Sequence, residues 1–223
     1  MERHFDEELK VVEKQIIEMA DLVQKAISKS VEALKNMDKS LAEQVIEFDK
    51  KIDEYELEID ERCIDLIARH QPMGSDLRFI TTGIKINLEL ERIADLASNI
   101  SQRVLQLEDK TALKGISDIN LLSEFAQNMI HKAIRAYVEK DIKTASEIVR
   151  SDNQADDLKN RIQKFLINDY LAKDVNMALQ AFCHILVARH LERMCDHVAN
   201  IAEEVIYMVK GRVVRHHPEK LEK

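Results

Sequence analysis

Residues 90–100 read LERIADLASNI, and residues 191–201 read LERMCDHVANI. Six of the eleven positions coincide, at an offset of 101 residues. Each copy spaces Glu, Asp and Asn four apart: Glu91, Asp95 and Asn99, then Glu192, Asp196 and Asn200. On a helix that spacing stacks three oxygen-bearing side chains on one face, over about 12 Å at a rise of about 1.5 Å per residue. Stacked oxygen donors suit a hard or borderline metal cation. A second acidic pair with the same spacing precedes each copy, Asp49 with Asp53 and Asp152 with Asp156.

Antiparallel helices joined by a turn bring residues to one height when their numbers add to a constant. A turn centred near Gly74 puts Asp53 level with Asp95 and Asp49 level with Asn99. A turn centred near residue 176 does the same for Asp156 with Asp196 and Asp152 with Asn200. The counting fixes height only, not whether the faces meet. Where they meet, each half gathers three or four carboxylates, whose mutual repulsion raises their pKa values. A divalent or trivalent cation removes that penalty through oxygen coordination. Arg92 and Arg193, next to the Glu of each copy, could offset the charge instead. His190, which stands where the first copy has Glu89, and His197 are accessory candidates, with Asn99 and Asn200 as outer members. There is no Gly-rich phosphate loop, nucleophile elbow, HExxH or di-iron Glu-x-x-His pair, so no catalytic residue is assigned.

The elements that must carry these residues are helices. Only four Gly and two Pro occur in 223 residues, too few for the turns of a β-rich chain. Apolar steps of three and four mark helices over about 5–36, 40–70 and 76–107, then over about 118–139, 142–171 and from 176 to 210. Asp38 is placed to cap the second helix, and Ser75 or Asp76 the third. Gly83 inside the third helix suggests close packing, and Gly211 a helix stop. The first two helices of each half align at an offset of 103, through Asp38/Asp141, Ala42/Ala145, Asp49/Asp152 and Asp53/Asp156. The fold expected is all-α, a tandem repeat of two three-helix bundles (1–107 and 118–211), each with its own core. A linker covers 108–117 and a mobile tail 212–223.

A formal net charge of −8 and no evident basic face speak against nucleic-acid binding. No secretory leader and no apolar run of about 20 residues is present, which points to the cytoplasm. Cys63, Cys183 and Cys195 lie in helical stretches without CxxC spacing, as reduced, buried thiols do.

Three segments, FDKKIDEYE (48–56), ARHQPMGSDLRFI (68–80) and LERIADLASNI (90–100), carry a resemblance, with second copies at VRSDNQADDL (149–158) and LERMCDHVANI (191–201). Through them nearly the whole chain resembles the PhoU family of bacterial phosphate-transport and phosphate-signalling accessory proteins. The second copy lacks the Pro-Met-Gly turn. The resemblance implies a cytosolic, often dimeric, all-helical protein that is not an enzyme. It implies multinuclear metal clusters, commonly iron or zinc, in each repeat. Their ligands would be Asp49, Asp53, Glu91 and Asp95, then Asp152, Asp156, Glu192 and Asp196. It implies negative regulation of the phosphate-starvation response, by linking an ABC-type phosphate importer, peripherally at the membrane, to a sensor histidine kinase. The alternative is a carboxylate-bridged metalloenzyme acting on phosphoesters or polyphosphate.

Overall fold

The apolar stripes fold as helices. A computed structural model describes residues 2–107, 117–174 and 177–214, leaving aside the side chains of Glu2, Arg3 and Asp152. Among these residues six α-helices follow one another and no strand occurs: α1 (Glu2–Asn36), α2 (Lys39–His70), α3 (Ser75–Gln106), α4 (Ser117–Glu139), α5 (Ile142–Leu166) and α6 (Ala178–Lys210). None is long and apolar enough to cross a membrane.

The breaks between helices are built alike in both halves. Met37 (φ 52°) and Lys140 (φ 56°) take the left-handed conformation. The next amide N–H, of Asp38 or Asp141, returns to the carbonyl of Ala33 or Ala136, at 2.9 Å in each case. The Asp side chain then caps the following helix. Asp38 accepts from the Leu41 N–H, and Asp141 from the N–H groups of Lys143 and Thr144.

The α2–α3 turn differs from the expectation. Neither Ser75 nor Asp76 is the N-cap. Gly74 holds that position with φ 60° and ψ −118°, a backbone that side-chain-bearing residues avoid, and both Ser75 and Asp76 lie inside the first turn. The fifth helix also ends differently. Ile167–Leu171 widens into a π-turn, closed by the Ala172 N–H on the Ile167 carbonyl at 3.0 Å. That widening falls at the connection where the second repeat is two residues shorter. Gly211 (φ 66°) ends α6 as expected.

Helices α1, α2 and α3 pack on one another, as do α4, α5 and α6. The repeats do not keep separate cores. One continuous apolar cluster runs through both, because α3 packs on α6 as extensively as on α2. The α3–α6 pair is antiparallel. Arg78 donates to the Met208 carbonyl (3.1 Å), Lys85 meets Glu204 (2.8 Å) and Glu89 meets His197 (2.6 Å). As α3 and α6 are the duplicated helices, the repeats are related by a pseudo-two-fold axis across this seam. Gly83 admits α1 and α4 beside it. A Cβ there would stand 3.2 Å from Ile16 Cδ1 and 3.6 Å from Tyr137 Oη.

Ser117, expected in the linker, opens α4, and the rest of the linker (108–116) lies outside the described residues. Of the expected tail, residues 212–214 are described and Val214 is buried in the core; 215–223 lie outside.

The left-handed conformation of an exposed non-glycine residue gives a prediction. Lys140→Gly is expected to raise stability by up to about 1 kcal/mol in urea denaturation, because glycine removes the Cβ clash. A loss of stability would show that Lys140 is unstrained.

Candidate functional site

Helix α2 presents Asp49, Asp53 and Glu56, and α3 presents Glu91 and Asp95, on the faces turned toward each other. Asp49 on α2 lies close enough to Ser98 and Asp95 on α3 to be acted on by both, so the two acidic rows face each other. Burial pushes the Asp49 carboxyl up to about 6, against the lowering effect of Ser98, with repulsion from Asp95 and Asp53 added. Burial likewise pushes Glu91 up to about 7, helped by Asp95, Asp53 and Glu56. Asp95 is raised by burial and by Asp53, and Glu56 by burial and then by Asp60 and Asp53. Among the described residues the cation opposing the rise of Glu91 is Arg92, whose Nη1 stands 3.4 Å from Glu89 instead. The first repeat therefore holds a set of mutually repelling oxygen donors, Asp49, Glu56 and Glu91 half-buried and Asp53 and Asp95 exposed at its edge. Its chemistry fits a hard or borderline cation.

The second repeat places the same helices together and a different charge between them. Lys159 on α5 sets its Nζ 2.5 Å from Asp156 Oδ1 and 2.5 Å from Glu192 Oε1. The Asp156 carboxyl is held below the usual range, first by its hydrogen bond from Lys159. Asp196 lies exposed on α6, and the side chain of Asp152 on α5 is outside the described residues. As arranged, an ammonium already bridges Asp156 and Glu192, where the first repeat has Glu56 in the matching position. Lys159 was missed in the sequence although a signal was present. At the offset of 103 it stands opposite Glu56, a reversal of charge inside an otherwise acidic row.

The accessory candidates are placed elsewhere. His197 Nδ1 lies 2.6 Å from Glu89 Oε2, and Asn200 Nδ2 donates to the same oxygen at 3.2 Å. Both reach across the seam to α3 rather than to the Lys159 group. Glu89 is buried, which would raise its pKa, yet His197 and Asn200 hold it below the usual value. His190 is half-buried with its Nδ1 unpartnered, and burial and then Arg103, Arg193 and Arg189 push its pKa down to about 4. Asn99 is half-buried on α3 beside Ser98. Among the described residues no three or more His, Cys, Asp and Glu side chains stand as a ready ligand shell. The first-repeat acids act on one another through space without converging on one point.

Known proteins share this architecture. The PhoU domain family model matches twice, over residues 16–104 and 119–205. The chain is 38% identical over 209 residues to the phosphate-specific transport system accessory protein PhoU homolog of Aquifex aeolicus (strain VF5), covering 94% of each chain. It is 33% identical over 210 residues to homolog 1 of Thermotoga maritima, covering 94% of this chain and 90% of that one. The crystal structure of PhoU from Pseudomonas aeruginosa superposes with a TM-score of 0.86 at 34% identity, over 93% of this chain and all of that one. The phosphate transport system regulatory protein PhoU from Streptococcus pneumoniae gives 0.87 at 28% identity, over 94% and 99%.

The raised carboxyls predict a pH dependence of determined sign. Asp49 and Glu91 bind their protons more tightly folded than unfolded, so their stabilising effect is complete below the ordinary carboxylate range. It is lost as pH rises through about 6 and about 7. Asp49→Asn/Glu91→Gln is therefore expected to gain on wild type in metal-free urea denaturation as pH rises from about 5 to about 8. A constant difference across that window would mean that the two acids are not strained.

Proposed function

The chain belongs to the PhoU family, and from that premise we propose that it is a regulatory accessory protein of a phosphate importer. It works in the cytoplasm as a homodimer, by binding rather than by covalent chemistry. It docks peripherally on an ABC-type phosphate importer and on a sensor histidine kinase, and represses the phosphate-starvation response while phosphate is plentiful. The names of its relatives, accessory and regulatory proteins of phosphate transport, support this reading.

The observation that carries the site is the acidic face between α2 and α3, whose carboxyls are raised by burial and by one another. Asp49, Asp53, Glu91 and Asp95 would hold a divalent or trivalent ion such as iron or zinc, with Asn99 at the margin. When bound, the ion supplies positive charge against carboxylates that otherwise repel one another. The protein residues then do the rest. The α2–α3 pair holds the acidic rows in register for a partner. Complementary charge on such a face gives specificity and speeds encounter.

Two measurements test this. Glu91→Ala/Asp95→Ala is expected to keep its helical content and lose metal relative to wild type, by elemental analysis of protein purified without added metal. Unchanged stoichiometry sinks the ligand assignment. In cells lacking the native protein, wild type is expected to silence a starvation-response reporter at high phosphate, and the double variant to leave it expressed. Equal repression by both would detach the acidic face from regulation.

A further inference from the structure

We infer that the second repeat carries its own cation, Lys159, in the place that an ion would take in the first, so that the chain takes up metal in one repeat only. The part concerning the first repeat rests on the proposed function; the part concerning Lys159 stands on its own geometry.

The two repeats are a controlled comparison within one chain. Helices α2 and α3 in the first, and α5 and α6 in the second, bring the duplicated acids together: Asp53 matches Asp156, Glu91 matches Glu192 and Asp95 matches Asp196. Several positions reverse sign between α2 and α5, among them Glu56/Lys159, Glu58/Arg161 and Glu61/Lys164, and the first of these three stands among the duplicated acids. Three residues after Asp53 stands Glu56, and three residues after Asp156 stands Lys159. The lysine is not a solvated surface charge. Its side chain is 17% exposed, and its Nζ joins Asp156 of its own helix to Glu192 of the neighbouring one. An ion placed on those two carboxylates would have to displace the ammonium or lie beside it, and two cations so close repel.

A tethered ammonium also differs from an ion in what controls it. It travels with the chain and depends on no supply from outside, whereas an ion at Asp49, Asp53, Glu91 and Asp95 comes and goes with its free concentration. The second-repeat face therefore has part of its charge permanently offset, and the first has its charge offset only conditionally. One molecule presents both a constant and a metal-sensitive surface, related by the pseudo-two-fold axis.

The test uses Mn²⁺ as the probe, with binding measured by calorimetry and by elemental analysis after gel filtration, and folding checked by circular dichroism. Wild-type binding is expected to disappear in Glu91→Ala/Asp95→Ala and to persist in Glu192→Ala/Asp196→Ala. Adding Lys159→Glu to the first of these variants is expected to restore a tight site, now in the second repeat. Lys159→Gln, which removes the ammonium without adding charge, is expected to restore a weaker one. Conversely, Glu56→Lys in the otherwise native chain is expected to abolish binding. Binding that survives Glu91→Ala/Asp95→Ala and vanishes in Glu192→Ala/Asp196→Ala overturns the inference. So does the failure of both folded Lys159 variants to gain Mn²⁺. If wild type binds none while the Lys159→Glu variant binds, the first-repeat reading falls and the role of Lys159 stands.

Discussion

Antiparallel packing of α3 on α6 removes water from the apolar faces of two helices that descend from one sequence, and the other four helices lean on that pair. Leu90, Ile93, Ala97 and Ile100 of α3, and Leu191, Met194, Val198 and Ile201 of α6, are fully buried. Burial of each of the larger side chains contributes roughly 1.5–3 kcal/mol. Each helix must also serve its own bundle, so α3 and α6 are apolar around much of their circumference. What remains for polar groups is a narrow strip beside α2 or α5. The strips hold the acidic motifs at fixed height with Asp49, Glu91 and Glu192 half-withdrawn from water, and in the first repeat that partial withdrawal gives the carboxylates their chemistry. In the seam, Glu89 with His197 and Asn200 forms a satisfied polar group that fits one register of α3 on α6.

The same scaffold thus carries two electrostatic solutions. In the first repeat the cost of withdrawing carboxylates from water is left standing, and it appears as carboxyls that keep their protons toward neutral pH. In the second repeat a neighbouring ammonium offsets it, and Asp156 ionises more readily than a free aspartate. The paired helices are alike in the two halves here; the change of charge three residues after the second-helix Asp is what sets Asp156 and Glu192 apart from Asp53 and Glu91.

Much of this was legible in the residues. Apolar steps of three and four located six helices to within a few residues, except that α5 gives way to a π-turn near its end. Counting outward from Gly74 put Asp49 level with Asn99, one residue from Ser98, which acts on Asp49 in the structure. The twice-repeated LER motif led to the family that the comparisons show. What escaped has physical reasons. Hydrophobic periodicity says that a face is buried but not against what, so a core shared across the α3–α6 seam read as two separate ones. His190 and His197 stand on the helix that carries Glu192, but spacing along a helix does not say which neighbour a turn faces, and His197 looks toward α3. Gly74 caps α3 through its backbone, where a search for side-chain caps finds Ser75. Lys159 was visible only by comparing the halves residue by residue, because one lysine on a charged helix is unremarked until its acidic counterpart is set beside it.

The three cysteines have a practical bearing of another kind. Cys63, Cys183 and Cys195 form no disulfide and are buried, Cys63 toward the end of α2, Cys183 near the start of α6 and Cys195 in its middle. Burial pushes the Cys63 thiol up to about 12 and raises Cys183 as well, so little reactive thiolate forms at neutral pH. The native protein is therefore a silent background for maleimide chemistry. One cysteine introduced at exposed Leu57 on α2, or at exposed Leu179 on α6, would be the site that takes a spin label or dye. Either repeat could then be watched alone while its twin serves as the internal reference.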